Sequence, residues 1–527
     1  MSSHYTAQLW LVVIVYTIFL TGFFPLKPGD SESSISKDLP HSWNRRVGRL
    51  VIMVIDALRL DFVVDRAGSE SEFKIKYLEE MIQERKAQLV VTRVSPPTVT
   101  LPRLKAITTG NVSSPLLSFS LRLTHSLQIP GFVDIIRNFD TKELLEDSLI
   151  NQWRLHERNI TMFGDDTWTK LFPGQFLRED PVSSFFVSDY TEVDQNVTRH
   201  LESEMKARDW DVMILHYLGL DHIGHVEGPR SSLVQPKLDE MSAVISQIWS
   251  SLREGEGERD MMVVLGDHGM ADGGGHGGAS QAETLVPLVL LREDVLDTED
   301  TEEEALQVDL VPTLAALTGV PVPRWSLGTV LQSGLTGLGQ RELLDIVRHN
   351  AEHLQRIASV SGRGCDQAED MLEEAGRMLE EERAIELLRE SSRLLQGKIV
   401  SEATKYDLYT IILSILILFL LLITNLLIVL TLKHSSLISL TLIMTALTCS
   451  HCLLCSFTKS ELCSPSPGSV GVLLISAGLF ITTLDSLLTV KMKDIRGLSS
   501  LKPGGIESTF LLLSCAASVL SVAHGSA

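Results

Sequence analysis

The sequence predicts an α/β protein with a central sheet covered by helices on both faces, and membrane segments at both ends of the chain. Short aliphatic or β-branched runs alternate with amphipathic stretches from about residue 45 to residue 330. The strongest of these runs lack polar alternation, which is typical of central strands buried on both faces. Residues 9 to 24 and most of the chain after residue 406 are apolar, which indicates the membrane segments.

Four compact apolar runs are predicted to be central strands of the sheet, and each is followed directly by polar residues. In open α/β sheets, ligand-binding residues collect at the carboxyl ends of the strands. The residues that follow each run are therefore the first candidates for a site. A helix is also predicted to begin near Pro102. The predicted strands cover residues 50–55, 88–94, 211–216 and 261–265.

The chain is predicted to have four regions. Residues 340–400 alternate acidic and basic positions at helical spacing, which favours a charged helical connector between domain and membrane. The apolar segments after residue 406 cover about residues 408–432, 437–457, 468–490 and 508–523. The regions are an N-terminal transmembrane anchor (1–30), an α/β domain (45–330), the connector (340–400) and a multi-spanning membrane region (406–527).

The charge distribution indicates which side of the membrane the domain occupies. The short loops between apolar segments place most of their lysine and arginine residues on one side, and the positive-inside rule assigns that side to the cytosol. The large domain is then lumenal, in agreement with glycosylation sequons at Asn111, Asn159 and Asn196. A net charge of −21, concentrated before residue 400, argues against a nucleic-acid partner.

Polar residues at or beyond the strand ends form a candidate metal site. Three carboxylates and three imidazoles offer the oxygen and nitrogen donors that suit a pair of zinc ions, and a threonine hydroxyl offers a nucleophile. Taken singly, Asp56 could cap a helix, Thr100 could cap the helix near Pro102, and His276 lies in a glycine-rich run where a histidine is often solvated. The candidate residues are Asp56, Thr100, Asp221, His225, Asp267, His268 and His276.

The order of these clusters resembles the alkaline phosphatase superfamily, over about residues 46 to 330. Within it, VIMVIDALRLDFV, PPTVTLPRLKAITTG, PGFVDIIRNF, TWTKLFPGQF, SFFVSDYTEVDQNVTRHL and WDVMILHYLGLDHIGH are similar to the GPI ethanolamine phosphate transferases. Among these, the enzymes that modify the second mannose are the most similar. The resemblance implies an alkaline phosphatase-like sheet, two zinc ions and a location in the endoplasmic reticulum membrane with the catalytic domain in the lumen.

The same resemblance implies roles for individual residues. Asp221, His225 and His276 match the ligands of one zinc ion, and Asp56, Asp267, His268 and the Thr100 oxygen match those of the other. The implied reaction transfers phosphoethanolamine from phosphatidylethanolamine to a mannose of the GPI glycolipid precursor, through a covalent Thr100 intermediate. A small multi-spanning partner subunit is also implied.

The sequence departs from the family pattern in two places. Some 18 residues, NVSSPLLSFSLRLTHSLQ, intervene between TTG and PGFVD, which are almost adjacent in the family. The family also continues into further transmembrane helices, so the membrane region is expected to be truncated. Two alternatives remain open: a two-zinc phosphodiesterase or nucleotide pyrophosphatase, and a catalytically idle truncated membrane isoform. A sulfatase is disfavoured, because Thr100 replaces its Cys or Ser and Leu104 replaces its Arg.

Overall fold

A computed structural model describes most of the predicted α/β domain and connector. It divides the chain into one unit of Lys27–Thr404 and another of Met1–Leu26 with Lys405–Ala527. In the second unit only residues 412–417 and 419 are described, and they are helical. The described residues are 35–37, 43–66, 71–111, 143–184, 186–254, 259–293, 303–362, 364–403, 412–417 and 419.

No helix within these described ranges is both long enough and apolar enough to cross a membrane. The predicted N-terminal anchor lies outside them, as do residues 112–128 of the insertion and, apart from residues 412–417 and 419, the four apolar C-terminal segments. Their membrane assignment therefore stays a prediction.

The first unit contains an eight-stranded sheet with the strand order β4-β3-β5-β1-β6-β7-β2-β8. Strand β7 is antiparallel to both of its neighbours, and every other neighbouring pair is parallel. The α/β class is confirmed. The strands are β1 (Leu50–Ile55), β2 (Ala87–Arg93), β3 (Ile160–Asp165), β4 (Arg178–Val182), β5 (Val212–Tyr217), β6 (Met261–Gly266), β7 (Leu285–Arg292) and β8 (Glu303–Leu306).

Thirteen α-helices are described in the first unit, and most connect consecutive strands. They are α1 (Lys76–Gln83), α2 (Thr100–Thr109), α3 (Leu149–Leu155), α4 (Thr167–Leu171), α5 (Glu192–Thr198), α6 (Leu201–Ala207), α7 (Gly219–Glu227), α8 (Val234–Arg253), α9 (Gln281–Thr284), α10 (Leu310–Thr318), α11 (Gln340–Val360), α12 (Asp366–Arg377) and α13 (Glu381–Ala403).

Both faces of the sheet are buried, as the unbroken aliphatic runs predict. Alternate residues of β1 enter opposite cores: Ile52 packs with α10 and α11 on one face, and Met53 packs with α8 on the other. Each buried aliphatic side chain contributes about 1.5–3 kcal/mol relative to an exposed one. Burial of both faces fixes the strand register, because a slip of one residue would exchange the two cores.

The parallel strands bring their carboxyl ends to one edge of the sheet, which is where the site forms. The four predicted strands are all observed, with ends that move by no more than one residue. In the register, Val54 of β1 pairs with His216 of β5, and Ile55 pairs with Gly266 of β6. Asp56 and Asp267 each follow one of these strands directly, so the topology places them side by side.

The charged helices that follow residue 340 pack against the α/β domain. Leu354 and Ile357 of α11 and Leu395 of α13 share a buried cluster with Ala106 of α2. The side chain of Gln396 in α13 donates to the carboxylate of Asp309, at the start of α10, at 2.5 Å. The unit Lys27–Thr404 thus includes these helices together with the sheet.

Candidate metal centre and active site

The first group of candidate ligands, called the inner cluster, consists of Asp56, Asp267 and His268. Asp56 follows β1, and the other two residues follow β6. Their side chains are 0–2% exposed. The Nε2 atom of His268 lies 3.5 Å from Asp56 Oδ1 and 3.4 Å from Asp267 Oδ2. Three metal-binding atoms therefore converge on one buried point at the sheet edge.

The second group, called the outer cluster, consists of Asp221, His225 and His276. Asp221 and His225 lie one turn apart on α7, so they share a face of that helix. His276 approaches from the glycine-rich loop after β6. The Nε2 atoms of both histidines lie 3.5 Å from the Asp221 carboxylate. The His225 side chain is 36% exposed, so this cluster opens to solvent.

Thr100 lies beside the inner cluster. Its hydroxyl donates a hydrogen bond to Asp56 Oδ2 at 3.3 Å. It is the first residue of α2, not a cap before it, so the positive end of the helix dipole lies at its side chain. This placement suits a group that gains negative charge or holds a phosphate.

Hydrogen bonds on the far side of two imidazoles orient them for metal binding. The Nδ1 atom of His268 lies 3.0 Å from the carbonyl oxygen of Gly269, and that of His276 lies 2.7 Å from the carbonyl oxygen of Thr98. Because a carbonyl can only accept, each Nδ1 carries the proton and each Nε2 keeps its lone pair. The two rings stack with centroids 4.0 Å apart, which brings the clusters together.

The inner cluster fits a metal ion. Asp56 Oδ1, Asp267 Oδ2 and His268 Nε2 are buried and have no hydrogen-bond partner among the described residues. Leaving such atoms unpaired is costly, and a cation would satisfy all three. Four nitrogen or oxygen ligands arranged tetrahedrally about a zinc ion lie about 3.3 Å from one another. The distances of 3.3–3.5 Å within both clusters are close to this value.

Without a cation, ionising all of the buried carboxylates of the site is energetically costly. Burial raises the pKa of Asp267 and of Asp221 well above the usual range, and the neighbouring Asp56 charge raises both further. Burial also acts to raise the pKa of Asp56, but the neighbouring imidazoles of His216 and His268 outweigh it and hold that pKa low. The site thus concentrates negative charge on Asp56.

The imidazoles of His268 and His225 are shifted toward the neutral form that binds metals. Burial, with a further contribution from the neighbouring His276, lowers the pKa of His268 to about 3. Burial and His276 also lower the pKa of His225. Neutral imidazole is the state in which histidine ligates zinc.

A buried ion pair supports α7, the helix that carries two of the three outer-cluster residues. Asp194 Oδ1 accepts from the backbone N–H groups of Leu218 and Gly219, at 2.9 and 3.0 Å, where α7 begins. Its other oxygen accepts from Lys237 Nζ at 2.8 Å. Asp194 therefore fixes the position of α7, and with it Asp221.

Thr98 holds the loop that carries His276. Its hydroxyl donates to the carbonyl oxygen of Gly278 at 3.0 Å and accepts from the N–H of Gly277 at 2.9 Å. Thr98 is fully buried, and its hydroxyl is occupied by these bonds. It is a structural residue here, unlike Thr100.

Two polar residues of the site were not predicted from the sequence. Asp165 ends β3 and His216 lies within β5, and both group with Asp56. Asp165 could have been found by the strand-end rule, but β3 is a weakly aliphatic run, ITMFGD. A single polar residue in the apolar run of β5 was the available signal for His216.

The three sequons differ in accessibility. The side chain of Asn111 is buried, at 1% exposure. Asn159 and Asn196 are partly exposed. The folded chain thus leaves the last two more accessible to a glycan, and glycosylation at any of the three stays a prediction.

Sequence comparisons find known proteins that are similar to this chain. A family model described as type I phosphodiesterase / nucleotide pyrophosphatase matches residues 154–302. The human GPI ethanolamine phosphate transferase 2, catalytic subunit, is 38% identical over 372 residues, which cover 66% of this chain and 35% of the human protein. GPI ethanolamine phosphate transferase 2 of Saccharomyces cerevisiae is 36% identical over 382 residues, with 66% of this chain and 43% of the yeast protein covered.

These relatives confirm the predicted resemblance. The chain spans about a third to a half of the length of the curated relatives it matches. Among solved structures, the periplasmic domain of EcEptC from Escherichia coli, in complex with Zn, is similar with a TM-score of 0.34 and 15% identity, covering 56% of this chain and 86% of that one. A protein of the alkaline phosphatase superfamily from Vibrio parahaemolyticus has a TM-score of 0.36 and 13% identity, covering 63% and 79%.

Proposed function

We propose that this chain, a homologue of the GPI ethanolamine phosphate transferases, transfers phosphoethanolamine from phosphatidylethanolamine to a mannose of the GPI glycolipid precursor. The second mannose is the proposed acceptor, because the relatives are named transferase 2. The observation that carries the proposal is the position of Thr100, at the start of α2 with its hydroxyl 3.3 Å from the inner cluster.

Each cluster is proposed to hold one zinc ion, with the Thr100 oxygen completing the inner set. The support is the donor chemistry: two carboxylates and an imidazole in the inner cluster, and one carboxylate and two imidazoles in the outer cluster. When bound, the two ions would neutralise charge that develops on the phosphoryl oxygens and lower the pKa of the threonine hydroxyl.

In the first step, Thr100 Oγ1 attacks the phosphorus of the phospholipid headgroup. The new Oγ1–P bond replaces the P–O bond to diacylglycerol, and the proton lost by the hydroxyl is balanced by the one that the diacylglycerol oxygen gains. Asp56 orients the hydroxyl through its hydrogen bond, and the N-terminus of α2 stabilises the bound phosphate.

In the second step, a mannose hydroxyl attacks the phosphorus of the phosphoethanolamine group that Thr100 now carries. The Oγ1–P bond breaks, the sugar oxygen takes its place, and the sugar proton returns to Thr100. The outer cluster is the exposed side of the site, so the large acceptor is proposed to approach past His225. One site then serves both halves of the reaction.

The proposed location is the endoplasmic reticulum membrane, with the α/β domain in the lumen. The support is the charge asymmetry of the C-terminal loops and the accessible sequons at Asn159 and Asn196. A small multi-spanning partner subunit is part of the same proposal, and it rests on the family resemblance alone.

A second candidate is hydrolysis of a phosphodiester, with water as the acceptor. The match of residues 154–302 to the type I phosphodiesterase model favours it. The same Thr100 chemistry would apply, and only the second attack would differ. A chain that binds metal but turns over no phosphodiester would be the idle isoform.

The test compares the wild-type chain with Thr100→Ala and Thr100→Ser in cells that lack it, by mass analysis of GPI precursors. Wild type should add phosphoethanolamine to the second mannose. The Ala variant should lose transfer by several orders of magnitude, and Ser, which retains a hydroxyl, should keep part of it. Transfer by the Ala variant at a near wild-type rate would overturn the nucleophile assignment. Phosphodiester hydrolysis without transfer would favour the second candidate.

A further inference from the structure

A third group of polar side chains shares Asp56 with the inner cluster. The metal-binding atoms of Asp56, Asp165 and His216 lie within 4.8 Å of one another, and all three residues are buried. On composition alone this group could be another cation site. Its hydrogen bonds indicate a different role.

The indole of Trp168 determines the protonation of His216. Its Nε1–H donates to His216 Nδ1 at 3.1 Å. Nδ1 must therefore carry a lone pair, and in the neutral ring the proton lies on Nε2. A histidine that binds metal through one nitrogen normally donates the proton of the other to an acceptor. Here the other nitrogen faces a donor, so Nε2 is unsuited to ligation.

The Nε2 atom of His216 is buried, has no hydrogen-bond partner of good geometry among the described residues, and lies beside the Asp56 carboxylate. It lies 3.4 Å from Asp56 Oδ2, the same oxygen that accepts from Thr100. Asp56 Oδ1 lies on the side of His268. The neighbouring Asp165 is restrained separately, because its Oδ1 accepts from the N–H and the hydroxyl of Thr167 at 3.0 and 2.9 Å.

We propose that His216, held in its Nε2–H tautomer by Trp168, is a positioning residue that fixes the Asp56 carboxylate between the inner cluster and Thr100. The inference rests on the proposed function for its catalytic meaning. A neutral donor suits this place because it orients Asp56 without cancelling its negative charge, whereas a cationic side chain would compete with a metal ion.

The test uses two amide variants of the purified full chain. In His216→Gln the amide nitrogen can reach the position of Nε2 and donate to Asp56, and in His216→Asn it cannot. Both are polar and neutral, so their difference isolates the hydrogen bond. His225→Ala is added to both, and to a His216 control, so that zinc titration against a competing chelator reports the inner cluster.

His216→Asn should weaken inner-cluster zinc binding by about 10–100-fold, and His216→Gln should stay near the control. Trp168→Phe removes the indole donor and should weaken binding in the His216 control, but add nothing in His216→Gln, because the indole acts through the imidazole. Equal affinities in the Asn and Gln variants would overturn the proposal. The proposal would also be overturned if Trp168→Phe weakened zinc binding equally in the His216 control and in His216→Gln. The same holds if replacing His216 removed a further equivalent of bound zinc.

The outcomes separate this inference from the proposed function. Zinc affinity is measured without turnover, so the Asn and Gln difference can hold even if Thr100→Ala remains active in cells. Conversely, an inactive Thr100→Ala variant together with equal Asn and Gln affinities would reject only the role of His216.

Discussion

The inner and outer clusters use the same kinds of ligand in contrasting surroundings. The inner side chains are 0–2% exposed and follow strands in the middle of the sheet. The outer side chains are 12–36% exposed and lie on a helix and a glycine-rich loop. The strand ends hold the inner cluster in a buried position beside Thr100. The helix and loop hold the outer cluster where a large substrate can reach it. Burial, more than ligand type, separates their expected behaviour.

Ligand removal should have the largest effect and should differ between the clusters. Asp267→Asn and His225→Ala are each expected to remove about one zinc equivalent, by elemental analysis, and to lower transfer on the order of 10³-fold. Excess zinc should restore part of the activity of His225→Ala, because the outer cluster is open, but not that of Asp267→Asn. If excess zinc restored activity to Asp267→Asn but not to His225→Ala, the inner cluster would be the more open one, contrary to the comparison above.

Asp194→Asn tests the support of the outer cluster. It removes the buried carboxylate partner of Lys237 and leaves only the more exposed Glu240, so the free energy of unfolding should fall by up to about 3–5 kcal/mol in chemical denaturation. Outer-cluster zinc affinity should fall as α7 loosens, and inner-cluster affinity should not change. Glu240→Gln is the matched control: it removes the more exposed partner of Lys237 and should cost less than about 1 kcal/mol. Equal zinc losses in both clusters would contradict the local role of Asp194.

Low pH is expected to reduce both metal binding by the clusters and the stability of the fold. His353, which lies outside the clusters, allows the effect on stability to be measured separately. Burial lowers the pKa of His353 from 6.5 to about 3, with a smaller contribution from Arg356. Below about pH 6.5 the unfolded chain gains a proton that the folded chain does not take up until about pH 3. Stability is therefore complete above pH 6.5 and falls as the pH is lowered, by up to about 1.4 kcal/mol per pH unit.

His353→Gln should remove this loss while keeping a donor for the carbonyl oxygen of Ser326. The denaturant midpoint of the wild-type chain should fall between pH 7 and pH 5, with a change of about 2 kcal/mol attributable to this residue, and the variant should fall less. An identical pH slope in the two chains would show that His353 is not the source. If the variant still loses stability at low pH, and a chelator abolishes that loss, the loss arises from the two metal-binding clusters.

Thr98→Val should have the smallest effect. It removes the hydroxyl that bonds Gly277 and Gly278, so the loop of His276 should loosen and outer-cluster zinc affinity should fall about tenfold. Thr98→Ser keeps the hydroxyl and should behave as wild type in the same chelator titration. A complete loss of transfer in Thr98→Ser would indicate a more direct role.

The sequence predicts the sheet better than it predicts the contacts of the site. Strands such as β1 and β6 are recognisable because both faces are buried and the aliphatic run is unbroken. The contacts between residues distant in sequence could not be predicted in this way. No local sequence pattern shows that Asp56 lies beside Asp267, or that α7 lies beside the loop of His276. Their grouping came from the family resemblance. His216 was missed because it is the last residue of the predicted strand 211–216, whereas the strand-end rule points to the residues that follow a strand.

The packing of α13 sets where a recombinant fragment of the α/β domain should end. A fragment that stops near residue 330, at the end of the predicted domain, would lose the Gln396 side chain that bonds Asp309 and the carbonyl oxygen of Leu327. It would also expose apolar surface on α2 and α10 that α11 and α13 cover. Since Gln307, two residues before Asp309, donates to the carbonyl oxygen of Asp267 at 2.7 Å, the damage would extend to a residue of the inner cluster. Soluble expression should therefore extend through Ala403, the last residue of α13.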